Sequence, residues 1–182
     1  IIGIDLGTTN SALAYLDGSG DPRILDNEFG ENITPSAVFW DANERIVGTE
    51  ALRMQQFQPD SVATEFKRDM GTDKVCVLPG GNMTPIELSA VILKSLGEHA
   101  VSQFGDLGQV VVTIPANRTN PAREAIRVAR ELAGFEMGPE INEPTAAALY
   151  YAYTQKDIEP GTYFVYDFGG GTWDISAVRI NG

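Results

Sequence analysis

Ile1-Ile2-Gly3-Ile4-Asp5-Leu6-Gly7-Thr8-Thr9-Asn10-Ser11, at one end of the chain, and Tyr163-Phe164-Val165-Tyr166-Asp167-Phe168-Gly169-Gly170-Gly171-Thr172-Trp173-Asp174, near the other, share one plan. Each is an apolar strand that reaches an aspartate, passes through a turn of Gly and Thr, and enters a second strand. Glycine turns expose backbone N–H groups with no Cβ in the way, which makes a concave anion site. Two such turns facing each other can hold a polyphosphate between them. The carboxylates of Asp5 and Asp167 would then meet the hydrated divalent cation that phosphates bring. Both stand at the carboxyl end of a strand, where ligands of open α/β sheets collect. One Gly-rich turn is a common hairpin device, so the repetition carries the reading.

Around these two segments the composition is that of a soluble globular protein: 182 residues, 43% hydrophobic and 21% charged. That length suffices for one core, or one core and the start of another. With 25 acidic against 13 basic residues the formal net charge is -12. A surface of that sign repels a nucleic-acid backbone, whose binding rests on many Lys and Arg contacts. A single nucleotide remains open to it, since a triphosphate arrives with its own metal and needs only a few local donors. No run of eighteen apolar residues exists, and the first residues read as a strand, so neither a membrane span nor a signal peptide is expected. Cys76 is the one cysteine and cannot form an internal disulfide, which points to a reducing cytoplasm.

Between the two segments the pattern predicts an α/β fold. A three-strand meander is expected over 1–6, 11–16 and 23–26, then a mixed stretch to residue 83 that reads as an insertion, with short strands at 36–40 and 45–47, a helix at 49–57 and a loop at 79–82. Thr84 and Glu87 form a capping box with Pro85 at the first helical position, so a helix is predicted over 84–104 and ended by Gly105. Its core stripe is read as Ile86, Ala90, Leu93, Leu96, Ala100 and Phe104, and His99 as a solvated charge in its last turn. The β-branched run 109–114 predicts a strand buried on both faces. Helices follow at 121–133 and 144–153, with a short strand at 140–142 between them. The order describes a mixed sheet whose hairpin-built edge joins parallel strands through crossovers.

Three more residues attract attention. Lys67, in Glu65-Phe66-Lys67-Arg68-Asp69, reads by itself as a solvated charge; Glu143 reads as an acid before a helix N-terminus, and Thr172 as a β-former. A resemblance alters these readings. Asp5 to Ser11, Ile33-Thr34-Pro35-Ser36, Phe66-Lys67-Arg68, Thr113-Ile114-Pro115-Ala116, Asn142-Glu143-Pro144-Thr145-Ala146-Ala147-Ala148 and Asp167 to Asp174 occur in the order and context of the DnaK-type heat-shock chaperones, the heat shock protein 70 family. The chain resembles, over nearly its whole length, the first lobe of their actin-like ATPase domain.

That resemblance implies a ribonuclease H-like mixed five-stranded sheet with helices on both faces over residues 1–160, an insertion at about 27–83, and the opening hairpin of a second lobe at 161–182. It implies Mg-ATP between two lobes, with Gly7, Thr8, Thr9 and Asn10 as the first phosphate loop and Gly169, Gly170, Gly171 and Thr172 as the second. Asp5, Asp167 and Glu143 would meet the magnesium shell, largely through water; Lys67 would reach the γ-phosphate and the attacking water, and Glu143 would order that water. Thr172 and Asp167 join them as catalytic candidates. Pro115 and Arg123 resemble the pair that passes nucleotide state to a peptide-binding domain, although Arg123 reads equally well as a surface residue of a helix first turn. The partners implied are ATP or ADP, unfolded peptide clients through that further domain, a J-domain co-chaperone and a nucleotide exchange factor, in a cytoplasmic stress response. Asn117-Arg118 departs from the aromatic pair usual after Pro115-Ala116, and the stretch between Met70 and Thr84 is shorter than usual, which bears on partner contacts. Two alternatives stand beside this reading: an actin-like filament or regulatory ATPase, and a ribonuclease H-like nuclease using Asp5, Glu143 and Asp167 for two cations. The adenosine pocket is expected on the second lobe, so the fragment by itself is expected to bind ATP weakly and to be nearly inactive.

Overall fold

The computed structural model describes residues 1–116, 119–136, 138–155, 157–170 and 173–181. The opening meander forms as read: β1 (Ile2–Asp5), β2 (Asn10–Leu16) and β3 (Pro22–Leu25) pair antiparallel in turn. Alternation sends Ile2, Ile4 and Leu13 into the core and leaves Gly3, Ala12 and Ala14 on the other face. The two-residue β4 (Thr34–Pro35) returns to pair with the start of β2.

The stretch that follows builds a small sheet of its own. Its strands are β5 (Ala37–Trp40) at the centre, β6 (Arg45–Val47) on one side and, after α1 (Thr49–Met54), β7 (Val62–Thr64) on the other. Ala37, Phe39 and Ala51 form its separate core. A hairpin of β8 (Cys76–Leu78) and β9 (Gly81–Met83) follows, so Gly81 and Asn82 belong to a strand and not to the expected loop. The reason is Trp40. The glycines of that turn let the backbone lie on the indole, and a Cβ on Gly80 would overlap it.

Next comes α2 (Pro85–Phe104), with the capping box intact: the Glu87 amide donates to Thr84 Oγ1 at 3.2 Å, and the Thr84 amide to Glu87 Oε2 at 2.7 Å. Gly105 closes it in the left-handed region at φ 81°. Its buried face is wider than the expected stripe, taking in Leu88, Ser89, Ile92 and Gly97 as well, while Phe104 remains exposed. The sheet lies on one side of this helix, and α3 (Asn120–Leu132) and a turn at Phe66–Asp69 pack on others, which accounts for the width. His99 is no free helix-end charge, because its Nε2 donates to the Asp26 carbonyl at 2.8 Å and ties α2 to the exit of β3.

The main sheet is completed by β10 (Val110–Ile114), parallel to β1, and β11 (Ile141–Asn142), parallel to β10. The order β11-β10-β1-β2-β3, with β4 beside β2, is the mixed sheet that the sequence predicts. Only one face of β10 is fully buried, through Val110, Val112 and Ile114. Val111 and Thr113 are half-buried, because they face a cavity of about 610 Å³ beneath α4 (Glu143–Thr154). Thus α2 and α3 cover one face of the sheet, and α4 stands over the other. A long hairpin, β12 (Gly161–Phe168) and β13 (Trp173–Ile180), leans on α4 with Tyr151 and Tyr163 rings 6.1 Å apart. Phe164, Tyr166, Phe168, Trp173 and Ile175 on its outer face are exposed. Among the described residues no helix is long and apolar enough to cross a membrane.

Candidate functional site

Asp5 ends β1, and the parallel register of β10, with Ile4 beside Val112, brings Thr113 next to it. The Thr113 hydroxyl donates to Asp5 Oδ1 at 3.0 Å and fixes one carboxylate oxygen. Past Asp5 the chain reverses so tightly that a Cβ on Gly7 would overlap the Asn10 carbonyl oxygen, which explains the glycine there. Ser36, just after β4, bonds the carbonyls of Gly7 and Thr9, both at 2.8 Å. The second glycine turn lies directly against the first. A Cβ on Gly170 would overlap the Thr9 hydroxyl, so contact between the turns requires glycine at that point. Gly171 and Thr172 lie outside the described residues.

Lys67 sits on the short turn Phe66–Asp69, which the chain enters through Glu65 in the left-handed region at φ 56°. Phe66 and Met70, both buried, anchor that turn on either side of the lysine. With 6% of its side chain exposed, Lys67 is not the solvated charge its local sequence indicates; Nζ donates to Glu143 Oε1 at 2.9 Å. Glu143 is the first residue of α4, directly after β11, so the strand end and the helix start aim it back across the sheet. Burial pushes its carboxyl above the ordinary value of 4.5; Lys67 pulls it back, while Asp5 and Asp167 push it further up.

These side chains surround one cavity of about 220 Å³. Residues 7–10 form one wall and Phe168, Gly169 and Gly170 another, with Asp5, Asp167, Lys67 and Glu143 between them. The two ends of the chain therefore converge as the repeated plan requires. Among the described residues no three His, Cys, Asp or Glu side chains group closely enough to cage a metal directly. Three acids spread around one cavity, one of them raised in pKa by the other two as well as by burial, fit a cation that keeps its water shell.

Pro115 and Arg123 stand apart from the cavity. Pro115 is buried immediately past β10, and Arg123, in the first turn of α3, donates to Asn142 Oδ1 at 3.3 Å. Asn142 directly precedes Glu143, so Arg123 is linked to the site through one residue and is not a free surface charge. Asn117 and Arg118 lie outside the described residues. Sequence reasoning overlooked Thr113, Ser11 and Ser36 as supports of the site. A lone Thr in a Val-rich run carried the only signal for Thr113, and its meaning depends on the β1–β10 register.

A family model described as Hsp70 protein matches residues 1–77 and 74–182. The two matched segments leave no residue uncovered, and the chain therefore belongs to the Hsp70 family of ATP-binding chaperone ATPases.

Proposed function

We propose that this chain is the nucleotide-holding lobe of a DnaK-like chaperone, and that the cavity between residues 7–10 and 169–170 takes the polyphosphate of Mg-ATP. The contact of Gly170 with Thr9 is the observation that carries this reading, since it puts two glycine turns from opposite ends of the chain around one set of charges. On this reading residues 1–160 are lobe I with a ribonuclease H-like sheet, residues 161–182 open lobe II, and the adenosine pocket belongs to lobe II.

Magnesium, when bound, supplies positive charge on the phosphate oxygens and a hydration shell for Asp5 and Asp167 to hold. The chain's own residues do the positioning. Backbone amides of both turns fix the phosphates, and Thr113 keeps Asp5 from rotating away. Lys67, largely buried and braced by Glu143, brings a fixed positive charge to the transferring group. Lys67 holds one oxygen of Glu143, and the other is the acceptor for the attacking water. Phosphoryl transfer asks little else of a protein than such positioning and charge. Through Pro115 and Arg123, nucleotide state controls a peptide-binding domain, with a J-domain co-chaperone and an exchange factor as partners in the cytoplasm.

Calorimetric titration of the intact gene product with Mg-ADP tests the site. Saturable binding that the Asp5→Asn, Asp167→Asn double variant loses is the expected result. Undiminished binding by that variant, or none by the unvaried protein, refutes the assignment.

A further inference from the structure

Behind the first glycine turn lies a buried hydroxyl chain. Ser36 grips the turn at two points: its amide donates to the Thr9 carbonyl and its hydroxyl to the Gly7 carbonyl, both at 2.8 Å. A hydroxyl has one proton, and a carbonyl can only accept, so the Ser36 proton is committed to Gly7. The Ser11 hydroxyl, 2.9 Å from Ser36 Oγ, must therefore be the donor in that pair. The chain runs one way, from Ser11 through Ser36 to Gly7, with the two serines 1% and 2% exposed and thus closed to competing water.

In a trans peptide unit the carbonyl and the amide N–H point in opposite directions, and among the described residues every peptide is trans. The Gly7 carbonyl shares its unit with the Thr8 N–H, and the Thr9 carbonyl with the Asn10 N–H. Holding those two carbonyls on the Ser36 side turns both amides to the opposite side, where residues 7–10 wall the cavity. Ser36 does not itself line that cavity. We infer that the Ser36 hydroxyl, oriented by Ser11, is a positioning group that aims the Thr8 amide at the phosphates of the nucleotide, beside the Asn10 amide that the Ser36 backbone N–H sets. The inference rests on the nucleotide reading above and adds to it the element that preorganises the anion cradle.

The test compares Mg-ADP with adenosine, which lacks the phosphates, by calorimetry on the intact gene product and its Ser36→Ala, Ser36→Thr and Ser11→Ala variants. Ser36→Ala is expected to weaken Mg-ADP by about tenfold or more, the scale of hydrogen bonds to a charged group, and to leave adenosine unchanged. Ser36→Thr keeps the hydroxyl and restores the preference for Mg-ADP; Ser11→Ala lowers it by less than Ser36→Ala. An unchanged or equal loss for the two ligands overturns the inference, since a general loosening of the fold does not single out phosphates. Should Ser36→Ala not fold, the Ser11→Ala ratio decides in the same way. If the unvaried protein binds no Mg-ADP, the nucleotide reading falls. The brace is then judged by amide exchange over residues 7–10, which Ser36→Ala, or Ser11→Ala in its place, must accelerate.

Discussion

Lys67 and Glu143 neutralise one another at 2.9 Å with 6% and 17% of their side chains exposed, so neither charge can be deleted without leaving the other unpaired. On the proposed reading, replacing Lys67 by Ala removes positive charge from the transferring group, and single-turnover hydrolysis by the intact gene product should slow by about 10² to 10³. Nucleotide affinity should fall much less, because the glycine turns remain. A rate loss matched by an equal affinity loss would place Lys67 in binding alone. Glu143 adds a pH signature. Its folded-state carboxyl titrates above the ordinary 4.5, chiefly through burial and further through Asp5 and Asp167. A water-orienting carboxylate must be ionised, so the rate should decline on acidification through that raised value, and Glu143→Gln should erase this acid limb of the pH–rate profile. Stability runs the other way. Above 4.5 the native state holds this proton more tightly than the unfolded chain, so the contribution of Glu143 is largest in acid and is lost as pH rises through its folded pKa.

Among the elements, α2 was legible in the sequence because every local device agreed: cap, N1 proline, period and terminal glycine. The hairpin β8–β9 was illegible, since strands of three residues show no period and the meaning of Gly80 lies in Trp40, forty residues earlier. The same division holds at the site. Asp5 and the glycines announced themselves through repetition, whereas the burial of Lys67 depends on α4 arriving from seventy-six residues away, and Ser36 gives no local sign of being buried. One helix carries an anomaly. Arg130 of α3 is fully buried, and its three guanidinium nitrogens find no hydrogen-bond partner among the described residues. Burial accordingly lowers its pKa. Glu140 offsets this charge only through space, so Arg130→Met, which fills the space without an unbonded guanidinium, should stabilise the fold by about 1 to 3 kcal/mol, read from denaturant unfolding at unchanged slope. A loss of stability would mean that the guanidinium has a partner the described residues do not supply.

For the whole molecule, the convergence of residues 7–10 and 169–170 makes the ligand a clamp between distant parts of the chain. Mg-ADP at about one hundred times its dissociation constant should stabilise the intact gene product by about 2.7 kcal/mol, seen as a rise in unfolding midpoint that grows with ligand concentration. Omitting magnesium should remove most of that rise, since the three acids of the cavity then meet the phosphates unscreened. The hairpin has a spectroscopic consequence as well. Trp173 begins β13 beside the second turn, 61% exposed and stacked on Phe168 at 5.9 Å, whereas Trp40 is wedged against Gly80 and Gly81 beneath the Arg45 guanidinium. The two tryptophans therefore stand in unlike settings, and under excitation selective for indole the exposed one should emit further to the red, be quenched more readily and respond when the cleft is filled, whereas the packed one should not.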